Sequence, residues 1–227
     1  MSKSVESFSE GLNALLNKPI LFAPYMAPIV IQLIFNALAE MPISFISLFG
    51  GFLAAIIGFI AGCMLIDMAS DYFKNRSLDL NKSLNLVINR IGVLTVAAVI
   101  AAICSITIIL LPVALFIMVI VVIENLSVVE SVKKSLDFVI ENLGEVIIFI
   151  ILIVVMAAIF SLAFSHIPII GSYIGTLVTW LLNSLFTVSA VYLYLALNPP
   201  SNHGKSYKNE RGFLMEIPTN LLSPLSW

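Results

Sequence analysis

Two carboxylates four residues apart on a helix share one face, and Asp67 and Asp71 have that spacing where a long apolar run ends. A carboxylate held inside a membrane is a candidate for proton or ion handling. At the end of a span the same acid serves as an interfacial cap, and the nearness of Asp71 favours that role for Asp67. Glu124 closes another apolar run and reads as an anchor there. Asn36 and Asn183 lie within apolar runs, where an amide is more often an interhelical hydrogen-bond partner than a ligand. Cys63 and Cys104 are also surrounded by apolar residues and read as small hydrophobes. His166, in "FSHIPIIGSY", and His203, in the tail, fall on opposite sides of the membrane in the topology below, so they share no metal. No Ser-His-Asp set, HExxH or Gly-rich phosphate loop occurs, and "GGFLAAIIG" reads as helix packing. The expectation is a protein without catalytic residues, cofactor or metal.

The elements that position these residues follow from composition. Of 227 residues, 60 % are hydrophobic and 11 % charged, with mean hydropathy +1.10. Soluble domains carry about 25 % charged residues, so this chain lacks the polar surface to face water and takes the bilayer as solvent. A net charge of −2 excludes a strongly basic nucleic-acid binder. The reading is one membrane domain over 1–197 and a flexible cytoplasmic tail over 198–227, rich in Pro and Gly, with no separate soluble domain. Glu6 and Glu10, and the absence of a small-residue cleavage site, argue against a cleaved leader.

A helix needs about 20 apolar residues to cross the ~30 Å hydrocarbon layer. Runs at 19–39, 44–66, 146–165 and 173–197 meet that length. The uncharged stretch 91–123 is too long for one span at about 50 Å and makes short arms if it folds back at Pro112. Charge favours the hairpin. It puts all 11 Lys and Arg on one side, whereas a single span would split them six to five. The expectation is an all-α integral membrane protein of six spans in the cell membrane, with both termini cytoplasmic. Glu40, the one outer charge, is solvated in its loop.

Three segments share a pattern: "GLNALLNK" at 11–18, "SLNLVINR" at 83–90 and "SLDFVIEN" at 135–142. Each precedes an apolar hairpin, so the chain reads as three repeats, about 3–68, 77–125 and 126–197, each an amphipathic interfacial helix plus a helical hairpin. Val5, Phe8, Leu12 and Leu15 make the first apolar stripe. Leu80, Leu84, Val87, Ile88 and Ile91 make the second, and Val129, Val132, Leu136, Val139, Ile140 and Leu143 the third. Ser127 and Glu130 in "SVVE" form a capping box. Such helices lie at the membrane surface, and the small residue opening each word, Gly11, Ser83 and Ser135, permits close approach. Gly50, Ala54, Gly58 and Gly62 form a small-residue stripe, as do Ala97, Ala101 and Ser105, and Ala157, Ser161 and Ser165.

"LLNKPILFAP", the stretch from "LLPVALFIMVIVVIEN" through "SVKKSLDFVIEN" and the six-span plan resemble a prokaryotic membrane-protein family. That family is related to the membrane domain fused to some glycerophosphoryl diester phosphodiesterases. Asn17-Lys18-Pro19 matches its "NP" with one residue inserted; Pro112, Glu124 and Ser131–Ser135 match its fourth span and the helix after it. The resemblance implies a six-helix bundle and no activity, since the phosphodiesterase barrel is missing. The function expected is a non-enzymatic membrane protein that organises partners, or senses or shapes the bilayer. Its partners are the lipid bilayer and other membrane proteins or further copies of itself. The alternative is a small-solute or ion transporter or channel.

Overall fold

Apolar runs with helical spacing become helices, and the computed structural model of the protein contains no strand among its described residues, 2–39, 44–107, 110–165 and 170–198. Glu40, His166, His203 and the tail from 199 lie outside them. One unit, Met1–Leu197, holds the helices of the described residues: α1 (Lys3–Asn17), a 3-10 turn (Pro19–Phe22), α2 (Ala23–Ala39), α3 (Ser44–Phe73), α4 (Leu80–Asn89), α5 (Ile91–Ser105), α6 (Leu111–Ile123), α7 (Val128–Glu141), α8 (Leu143–Ser165) and α9 (Ile170–Leu197). Four segments are long and apolar enough to cross a membrane, Pro19–Leu38, Leu48–Phe73, Leu143–Ala163 and Tyr173–Leu197. The pair α4 and α5, bent by 76°, adds a fifth if it is one broken span.

Local chemistry sets the boundaries. Ser2 caps α1, and the Asp79 carboxylate caps α4 by accepting from the backbone N–H groups of Asn81 and Lys82. Ser127 and Glu130 form the expected capping box on α7. Helix α6 begins at Leu111 with Pro112 in its first turn, where the missing N–H costs nothing, so the break falls just before the proline. Helix α3 ends in a Schellman turn. Arg76 N donates to Asp71 O at 2.8 Å and Asn75 N to Tyr72 O at 3.0 Å, with Asn75 at φ 54°. Asn125, at φ 59°, occupies the equivalent place after α6. The second span was expected to close at Asp67, yet α3 continues to Phe73. The reason is that helix α4 supplies donors to both Asp67 and Asp71, Ser83 to the first and Lys82 to the second, so the chain need not leave the bundle to hydrate them.

Helix α6 lies at the centre of the core, packed against α3, α5, α7 and α9. Phe116, Ile117, Ile120 and Val121 are fully buried among Leu65 and Met68 of α3 and Leu193 and Tyr194 of α9. An aromatic relay ties the helices together. Phe8 lies 5.0 Å from Phe149, Phe116 4.7 Å from Phe138, and Phe138 5.1 Å from Tyr194, pairs each contributing about 0.5–1.5 kcal/mol beyond area.

Helices α1, α4 and α7 turn their small residues inward. α1 buries Ser4, Ser7, Gly11 and Ala14, and α4 buries Ser83 and Val87. α7 buries Ser131, Ser135, Phe138 and Val139. Their large apolar residues divide. Phe8, Leu15, Val132 and Leu136 pack against the core, while Leu12, Leu16, Ile88, Val129 and Ile140 are exposed.

Candidate functional site

The polar side chains gather where α3, α6 and α9 end. Asp67 is 8 % exposed and accepts a hydrogen bond of 2.6 Å from the buried Ser83 Oγ of α4. One turn on, the buried Asp71 accepts from Lys82 Nζ of α4 and pairs with Arg76 at 3.6 Å. Glu124, at the end of α6, accepts from Lys134 Nζ of α7 and from the hydroxyl of Tyr194 of α9, joining three helices. Glu6 of α1 accepts from Tyr192 of α9 at 2.7 Å and pairs with Lys3 at 3.3 Å. The Tyr192 hydroxyl, followed by Lys3, holds the Glu6 carboxyl below its ordinary value. The half-buried Lys74 is pushed down by desolvation and by Arg76.

Two further contacts use helix ends. The Glu145 carboxylate accepts from Ser4 N at 2.8 Å, Ser4 Oγ at 2.7 Å and Ser2 Oγ at 2.6 Å, placing an anion at the N-terminus of α1. Arg90, between α4 and α5, donates to Val121 O at 2.8 Å and Leu126 O at 2.6 Å. Its forked guanidinium thereby caps carbonyls at the C-terminus of α6.

Chemically, this collar is a set of clamps. Asp71, Glu124, Glu6 and Glu145 each reach a helix other than their own, and each carboxylate accepts from protein donors. Among the described residues no three His, Cys, Asp or Glu stand together as metal ligands, and Cys63 and Cys104 are free thiols.

The sequence candidates separate. Asp67 and Glu124 both belong to the collar. Asn36 Nδ2 donates to Thr176 Oγ1 at 3.3 Å, beside Trp180 Nε1, which donates to Gln32 Oε1 at 2.8 Å. Those two bonds lace α2 to α9. Asn183 is exposed on α9, with its backbone carbonyl accepting from Thr187, about 16 Å along the helix from Tyr194. It is not brought to Asp67. Gly50, Gly58 and Gly62 face neighbours closely. A Cβ on Gly50 would lie 2.1 Å from Phe35, on Gly58 2.5 Å from Trp180, and on Gly62 3.4 Å from the Tyr25 hydroxyl. Ala54 is buried between them. Of the other stripes, Ala97 and Ala101 are buried, whereas Ala157 and Ser161 are exposed.

Arg90, Glu145, Tyr192 and Tyr194 were not anticipated. A cue existed for the first, a lone arginine between an amphipathic and an apolar segment. The tyrosines lay within an apolar run and carried no such cue.

Fold and collar together define an all-helical multi-pass membrane protein. No family model matches the chain, and no curated protein or solved structure matches it either.

Proposed function

We infer that this is a non-enzymatic, six-span protein of the cell membrane that couples to the bilayer, built from three copies of a helix-plus-hairpin unit with both termini on the Lys/Arg side. The observation that carries the reading is the orientation of α1, α4 and α7. Each presents small residues to the bundle and leaves large apolar side chains, among them Leu16, Ile88 and Val129, uncovered. In a bilayer, acyl chains cover such side chains, and three wedges in one leaflet make the protein respond to curvature and lipid packing.

The packing supports the triplication. Gly11 meets Ser189 of α9, Ser83 bonds to Asp67 of α3, and Ser135 donates to Val113 O of α6 at 2.8 Å. Each word thus docks on the closing span of the preceding copy, in a cycle. Lys82 and Lys134 hold the same place in their copies, and each reaches an acid near the end of that span. The resemblance to the membrane domain associated with glycerophosphoryl diester phosphodiesterases is in keeping with this plan and is part of the proposal. The packed apolar interior around Phe116, Ile117, Leu65 and Met68 favours a scaffold over a conduit. The partners proposed are the bilayer itself and other membrane proteins or further copies of the chain.

Reconstitution into small and large vesicles tests the reading. The protein should enrich in, or deform, the more curved population, and Leu16→Glu with Val129→Glu should remove the preference. Equal partition of the wild-type chain between both populations, with vesicle shape unchanged, would sink the proposal.

A further inference from the structure

Helices α5 and α6 hold 15 and 13 residues, which makes them about 22 and 20 Å long. The hydrocarbon layer is about 30 Å thick, and tilt can only reduce the depth a helix reaches. Their open end is fixed at the collar. Arg90, at the root of α5, binds the Val121 and Leu126 carbonyls, and Glu124 is held by Lys134 and Tyr194. The neighbouring α3 and α9, with 30 and 28 residues, are about 45 and 42 Å long and face no such limit.

The apex itself is built for hydrocarbon. No charged residue lies between 91 and 123. Where α5 ends, Ile106 N donates to Ile103 O and Thr107 N to Cys104 O, both at 3.3 Å. The hydroxyls fold back as well, Ser105 Oγ onto Ala102 O at 2.7 Å and Thr107 Oγ1 onto Cys104 O at 3.2 Å. Helix ends in water form such bonds too, but water can also satisfy the groups they leave; in lipid each unsatisfied one costs several kcal/mol, so these internal bonds suit an apex in hydrocarbon. Ile103 and Ile106 are 62 % and 81 % exposed, so protein does not cover them.

We propose that α5 and α6, in place of two of the six spans inferred above, form a re-entrant wedge whose apex stops within the acyl chains short of the surface opposite the collar, and that lipid covers Ile103 and Ile106. Acyl chains fill the space between the apex and the far surface, so bilayer thickness sets how deeply the apex is covered. This deepens the bilayer-coupled reading, on which its consequence rests, while the geometry stands without it.

The test places a nitroxide at Ile106→Cys, and separately at Ile103→Cys, in full-length protein carrying Cys63→Ala and Cys104→Ala, reconstituted in phosphatidylcholine vesicles. A nitroxide at Leu16→Cys on α1 is the interfacial reference. Collisions with oxygen should be frequent at both apex sites, and collisions with a water-soluble nickel chelate several-fold rarer than at Leu16. Shorter acyl chains should raise nickel access at Ile106 and leave Leu16 unchanged. Nickel access at the apex equal to that at Leu16 overturns the proposal, because the hairpin then reaches water. Low access to both probes overturns it too, because protein rather than lipid then covers the apex. Nickel access at Ile106 that ignores bilayer thickness also counts against it. Ile103 provides the same readout if the Ile106 variant does not fold. A curvature-indifferent protein with a lipid-buried apex would refute the vesicle reading alone.

Discussion

Replacing Ser83 by alanine removes the hydroxyl that donates 2.6 Å to Asp67, at a place where the serine is 1 % exposed and the acid 8 %. Two magnitudes compete. Interhelical hydrogen bonds in membrane proteins average about 0.6 kcal/mol, because the unfolded chain in the membrane also finds partners. A bond to a charged group contributes about 1.5–3 kcal/mol, and leaving a buried acceptor without its donor costs about 1–3 kcal/mol. Asp67 accepts across two helices and is shielded by the bundle, so the larger figure applies and about 2 kcal/mol is expected, roughly thirtyfold in the unfolding constant. Equilibrium unfolding in mixed micelles, followed by helical circular dichroism, measures it for Ser83→Ala, Asp67→Ala and the double variant. The double should cost less than the sum of the singles by about 1 kcal/mol or more. A single-variant cost within about 0.5 kcal/mol of zero, together with additivity, would refute the claim that this bond docks α4 on α3.

Adjacent glycines should respond with opposite signs. Gly50→Ala drives a methyl to 2.4 Å from the Cβ of Phe35, an atom that no side-chain rotation can move and that shifts only if α2 shifts, and should cost about 1–3 kcal/mol in the same assay. Gly51→Ala meets nothing within 4 Å and should stabilise α3 by about 0.5–1 kcal/mol. Glu6 has a lowered folded pKa, so its contribution is present above the ordinary value of 4.5 and is lost as pH falls through the depressed one. Carboxyl NMR should place the Glu6 midpoint below 4.5 and move it upward in Tyr192→Phe; an unchanged midpoint would remove Tyr192 as the cause.

The helices were legible because their signals are local. "SVVE" specifies a capping box from four residues, and Pro112 marks a helix start wherever the helix later packs. The end of α3 was misplaced for the complementary reason. An acid within a greasy run looks like the edge of the membrane until a partner such as Ser83, 16 residues further on, is known to reach it. Asn183 and Asn36 carry the same amide in similar surroundings, yet one is exposed and the other bonds to Thr176. The face of a helix that meets a neighbour depends on the neighbour, and no local pattern encodes it. Hydropathy also does not distinguish lipid-facing from protein-facing side chains, since both environments are apolar.

What the sequence determined by itself was the solvent, the helical content and the small residues at Gly11, Ser83 and Ser135, because composition, periodicity and side-chain size are properties of short segments. What only the tertiary structure decided was the partner of each: Ser189 across the whole chain, Asp67 on the preceding hairpin and the backbone of Val113. Those pairings depend on which helices come close enough to touch, and that is settled by the joint packing of the described helices, with α6 at their centre, rather than by any one of them.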